Sequence, residues 1–106
     1  MVTQLEMQHK IVETIDKVAP GSEVYLFGSR ARGDARPDSD WDVLVLVDGE
    51  KVASAMETEI VHALFDLMLE TEEVATPIVI TKNDWQGKYR ATLLHENITR
   101  DGILLH

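Results

Sequence analysis

The segment FGSRARGDARPDSDWD, residues 27–42, gathers three kinds of chemistry in one place. Gly28-Ser29 directly follows the β-forming run Glu23 to Phe27. Glycine lets a ligand approach the backbone closely, and the exposed amides of such a turn can hold a phosphate. The Ser29 hydroxyl adds a donor. Further on, Asp40 and Asp42 lie at positions i and i+2 of an extended stretch, so both project to one face about 6–7 Å apart. Two carboxylates so spaced can share one divalent ion or straddle two. Magnesium suits them, because it takes few protein carboxylates and completes its shell with phosphate oxygens and water. Paired metals about 4 Å apart can hold both the attacking and the leaving oxygen of a phosphoryl displacement. Between the two motifs stand Arg30, Arg32 and Arg36, three of the five arginines in the chain. The planar fork of arginine matches phosphate.

Each piece alone has a plain structural explanation. A Gly-Ser after a strand is commonly a turn, an Asp-x-Asp a solvated strand end, and arginines near Asp34 and Asp38 form surface ion pairs worth little. Their conjunction between two strands is what points to a phosphate site completed by metal.

The elements that must position this segment follow from pattern. Residues 3–19 read as a helix, with Leu5, Ile11, Val12, Ile15 and Val18 near a 3.6-residue period and Thr3 as a cap. Pro20-Gly21 ends it. Residues 23–27 form a short strand, and 30–39 are either a loop or a short helical turn followed by a loop. Trp41 to Val47 is the strongest strand, and its unbroken apolar run predicts burial on both faces. Residues 51–69 form a helix whose stripe is Ala53, Met56, Ile60, Ala63, Leu64, Leu67 and Met68. A strand over 74–81 carries Pro77, which argues for an edge position or a bulge. Residues 83–98 read as one amphipathic helix capped by Asn83 or Asp84, and Ile103-Leu104-Leu105 is expected to dock on the core. Strands interleaved with helices imply an α/β (α+β) sandwich, a small mixed sheet of three or more strands with flanking helices.

Composition narrows the function classes. The 106 residues make one domain, 1–106, with a formal charge of −9, which disfavours a bare nucleic-acid coat binder. An acidic chain that handles an anion needs a cation or a local basic patch. The chain has no cysteine, so thiolate catalysis and cysteine zinc sites are excluded. No apolar run approaches the length of a membrane span, and the N-terminus shows no secretory pattern. A cytoplasmic location is therefore expected.

Gly28-Ser29, ten residues, then Asp40-Trp41-Asp42 and a hydrophobic strand resembles the signature of polymerase-beta-type nucleotidyltransferases. The fuller match over residues 24–47, with Phe27 to Gly33 and Ser39-Asp40, resembles the minimal nucleotidyltransferases that pair with helical HEPN-type proteins as toxin–antitoxin couples. The resemblance implies the nucleotidyltransferase fold and nucleotide phosphates on Gly28 and Ser29, with Arg30 and Arg32 beside them. It also implies Mg2+ on Asp40 and Asp42 as the catalytic pair, and transfer of AMP from ATP to an acceptor hydroxyl, for instance on a HEPN-like partner. A third acid belongs on a later strand, but Ala75 to Ile80 contains none, and Pro77 stands about where it would fall. Glu72, Glu73 and Asp84 are the nearby acids. The alternative reading is a nucleotide-binding antitoxin that acts by contact alone. The nucleotide, the acceptor and the oligomeric state stay open.

The remaining candidates read as structure. Trp41 is expected on the face opposite the aspartates, packed in the core rather than stacked on a base. Trp85 and Tyr89 share one helix face. His9, His62, His95 and His106 show no ligand spacing, and Met7, Met56 and Met68 fit apolar stripes.

Overall fold

A computed structural model describes residues 2–106. The chain runs α1 (Gln4–Val18), β1 (Glu23–Phe27), α2 (Ser29–Arg32), β2 (Trp41–Val47), α3 (Ser54–Thr71), β3 (Ala75–Thr81), α4 (Lys82–Gln86), α5 (Leu93–Asp101) and β4 (Ile103–Leu104). The four strands form one mixed sheet in the order β3-β2-β1-β4. β1 pairs antiparallel with β2 and with β4, while β2 and β3 run parallel. Pro77 thus sits on an edge strand, where its missing N–H costs no ladder bond.

Alternation along β2 feeds two cores. Trp41, Val43, Val45 and Val47 face Met7, Ile11 and Ile15 of α1 and Ile60, Leu64 and Leu67 of α3. Leu44 and Leu46 face the other way, onto Trp85 and Ile98. The unbroken apolar run is therefore the signature of a strand covered on both sides. Asp42 is the one residue of β2 that is not buried.

Boundaries move where capping outweighs period. The single helix expected over 83–98 is two. Thr81, rather than Asn83 or Asp84, caps α4 by accepting the Asp84 amide. Gly87 closes α4, and Thr92 restarts the helix by accepting the His95 amide. Trp85 and Tyr89 still stack across this break, ring centroids 6.5 Å apart. The α3 stripe holds from Met56 to Met68, but Ala53 falls outside it as the exposed N-cap, because the helix starts three residues later than expected, at Ser54. Leu5 leaves the α1 stripe: it is 77% exposed, and Met7 takes the buried place. The tail does not dock as expected. Ile103 and Leu104 add an exposed edge strand beside β1, and only Leu105 packs against the core.

Candidate active site

The site is built by the β1–β2 pairing. Phe27 lies opposite Asp42, so the residue after Phe27 meets the Asp42 side chain directly. That residue is Gly28, at φ 74° and ψ −157°, a region open essentially only to glycine. A Cβ placed there would collide with the Asp42 carboxylate oxygen Oδ2. The choice between loop and helical turn resolves as both: α2 begins at Ser29, and a loop follows Gly33. The Gly28 carbonyl accepts from Ala31 and Arg32, and that of Ser29 from Gly33 and Asp34. With these carbonyls turned into α2, the first amides of the turn point outward.

Asp40 is exposed and Asp42 half-buried. Burial pushes the Asp42 carboxyl above its usual range, the charge of Asp40 adds to the rise, and Arg32 opposes it. Two carboxylates held together at that cost form a hard-oxygen pair that a small divalent cation would relieve. The donor set fits magnesium, which asks for only one or two carboxylates beside substrate oxygens and water.

The arginines divide. Arg32 stays half-exposed at the site, 3.4 Å from Asp34. Arg30, expected beside the phosphates, is committed elsewhere. Its guanidinium lies 4.4 Å from the Trp41 ring centroid. Its Nε donates to the Ser39 carbonyl at 3.2 Å, and one terminal nitrogen donates to Ser39 at 2.8 Å and Pro37 at 3.2 Å. Arg30 thereby pins the loop that delivers Asp40. Ser39 tightens the same loop by accepting the Arg36 amide. Trp41 is 1% exposed on the opposite face from Asp42, so it packs and does not stack on a base.

A nucleotidyltransferase domain family model matches residues 5–98. The chain belongs to the nucleotidyltransferase domain family. Solved structures share its fold. One, a toxin–antitoxin complex with AMP-PNP, is 20% identical with a TM-score of 0.68, over 93% of this chain and 72% of that one. Another, the tri-AMPylated Shewanella oneidensis HEPN toxin with its MNT antitoxin, is 18% identical with a TM-score of 0.65, over 98% and 72%. A Sulfolobus solfataricus structure described as a candidate nucleotidyltransferase is 29% identical with a TM-score of 0.54, over 95% and 80%. No curated protein matches the chain.

In this nucleotidyltransferase domain the β2–β3 register corrects the place of the absent third acid. Thr76, not Pro77, lies beside Asp42, and Pro77 pairs with Val43 on the other face. Asp84 follows the far end of β3, roughly 17 Å along the strand from Thr76, and it pairs with Lys88. Glu72 and Glu73 lie at the near end, but no cluster of three metal-binding side chains forms among the described residues. The sequence reading missed the opposite wall. Asn97, Arg100 and Asp101 of α5 line a cleft with Gly28 and Arg32. Hydrogen bonds from Arg100 hold the Asp101 carboxyl below its usual range, burial opposes this, and Arg32 adds a further downward pull. The signal was a period: 94, 97, 98 and 101 form one helix stripe, but only once the helix is restarted at Thr92.

Two outcomes follow. Gly28→Ala should destabilise by on the order of 1–3 kcal/mol from backbone strain alone, plus the collision with Asp42. In an Asp42→Gly background the cost should fall towards the backbone part, as urea unfolding of the four-member cycle will show. Asp42 binds its proton more tightly folded than unfolded, so stability falls as pH rises from the ordinary aspartate value, about 3.9, through the raised one. Asp42→Asn should therefore unfold at a higher temperature than wild type at neutral pH, with the gain vanishing below about pH 3.9.

Proposed function

We propose that this domain transfers a nucleoside monophosphate from a triphosphate, with ATP and magnesium as the pair, to a hydroxyl on a partner protein. The observation that carries the reading is the Gly28 turn with the Asp42 carboxylate pressed against it and Asp40 alongside. A turn of outward amides and two adjacent acids make sense together when an anion and a cation share the site. Neighbours in fold crystallised with AMP-PNP and with an AMPylated HEPN toxin support ATP and a helical partner as acceptor.

The turn at Gly28 and Ser29 would hold the terminal phosphates, with Arg32 neutralising their charge. Asp40 and Asp42 would hold the magnesium, which when bound supplies charge neutralisation on the phosphates. The acceptor oxygen attacks the α-phosphorus, forming the new O–P bond. The bond from that phosphorus to the bridging oxygen breaks, pyrophosphate leaves, and the acceptor proton passes to water. Catalysis rests on positioning and charge, as phosphoryl transfer generally does. Arg30 contributes through the loop, by fixing where Asp40 enters the site.

Thr76 beside Asp42 favours a second reading, an antitoxin that keeps the nucleotide site and acts by contact. Labelled ATP, magnesium, the protein and a lysate from cells carrying the partner separate the two. The transfer reading predicts label on an acceptor protein, reduced about 100-fold or more in Asp40→Asn and Asp42→Asn. Magnesium-dependent ATP binding with no label transferred would establish the contact reading instead.

A further inference from the structure

The outer side of α3 carries Val61, Phe65 and Leu69, four residues apart and therefore on one stripe. All three are exposed, Phe65 by 53% and Leu69 by 65%, while Ile60, Leu64 and Leu67 form the buried face of the same helix. We propose that this stripe docks a basic amphipathic helix of a partner protein.

Three observations carry it. First, the stripe is a helix-packing ridge left open. Rows of residues four apart are the ridges by which helices interlock, and this one runs about 12 Å from Val61 to Leu69. α1 occupies the far flank of α3, where Lys10 reaches Glu70 at 2.7 Å, about 140° around the helix from Phe65. α3 also packs over β3, the edge of the sheet, where Ala75 and Val79 are only partly buried. A third helix beside the stripe would extend the α1–α3 layer over that edge. Pro77 withholds an N–H from the same edge, which disfavours an added strand in its place.

Second, charge selects the occupant. Residues 52–81 hold six acids and no lysine or arginine. Among the described residues only Glu70 of the six has a cationic partner, and that partner is on α1. Glu57 stands one turn before Val61 and Asp66 one turn before Leu69, so both border the stripe. An apolar row with an uncompensated acidic border fits a helix that sets lysine or arginine beside its own apolar face. A second copy of this chain would instead bring like charges together.

Third, the stripe leads to the site. β2 and β3 run parallel, so α3 returns between them and ends where both strands begin. There the exposed Val74 continues the apolar surface, and its carbonyl accepts the Trp41 amide at 2.8 Å. Trp41 stands between Asp40 and Asp42. A helix docked on α3 therefore ends beside the paired carboxylates, where the proposed function, on which this last step alone rests, requires an acceptor hydroxyl.

The probe is a synthetic helix of about 18 residues, with leucine at every third or fourth position and lysine and arginine elsewhere. A control peptide carries glutamate in place of the basic residues. Binding is followed by fluorescence anisotropy at low salt, without nucleotide or magnesium. Wild type should bind the basic peptide and not the acidic one. Phe65→Ser leaves the charge unchanged and alters an exposed side chain, so its unfolding temperature should match wild type while its affinity falls about tenfold or more. Leu5→Ser, at an exposed leucine of α1, should bind as wild type does. No binding to wild type, equal binding of the acidic peptide, or equal affinities in wild type and both variants would overturn the docking site. A wild-type dimer in sedimentation that Phe65→Ser dissociates would overturn it too, because a second copy would then cover the stripe. Failure of the nucleotide site is distinct from all of these: ATP binding would be absent with the peptide still bound.

Discussion

The architecture turns on the near-contact between Gly28 and Asp42. Antiparallel pairing sets Phe27 against Asp42, and the turn that follows has to clear a carboxylate. Only a residue without a Cβ clears it, and only that residue adopts the φ and ψ found there without strain. The outward amides of the turn and the Asp42 oxygens are consequently neighbours. Neither motif could be moved along its strand by one residue without losing the other, because such a slip would send Asp42 to the α1–α3 face.

The same contact explains the layers around it. A carboxylate at the end of the most buried strand is tolerable only where the strand leaves the core, and Asp42 occupies that place. On one side Trp41 anchors the strand in the α1–α3 core, and Arg30 lies on its ring while gripping the incoming loop. On the other side α5 closes over the sheet through Ile98 and brings its charged end to the turn. The overall charge of −9 is thus compatible with an anionic ligand. Arg32 sits at the turn, and two of the acids are themselves the proposed cation site.

Much of this was legible because short-range rules govern it. The strand 41–47, its burial on both faces, the edge placement of Pro77 and the spacing from Gly28 to Asp42 all follow from composition and period. The rest depended on partners that the sequence does not name. Arg30 looks like a phosphate ligand until the carbonyls of Pro37 and Ser39 claim its guanidinium. Thr76 becomes the neighbour of Asp42 only through a parallel register set by the β2–β3 crossover. The α5 wall was hidden because Gly87 and Thr92 divide what period alone reads as one helix, and because β4, only two residues long, sets where that helix ends.

In the proposed function the two carboxylates and the Gly28 turn bind a cation and a nucleotide as one unit. Calorimetric titration of a non-cleavable ATP analogue, with and without magnesium, into wild type and the Asp40→Asn/Asp42→Asn double variant tests it most directly. Binding in wild type should require magnesium, and binding in the double variant should no longer respond to it. Nucleotide binding of equal strength in both proteins, indifferent to magnesium, would contradict it.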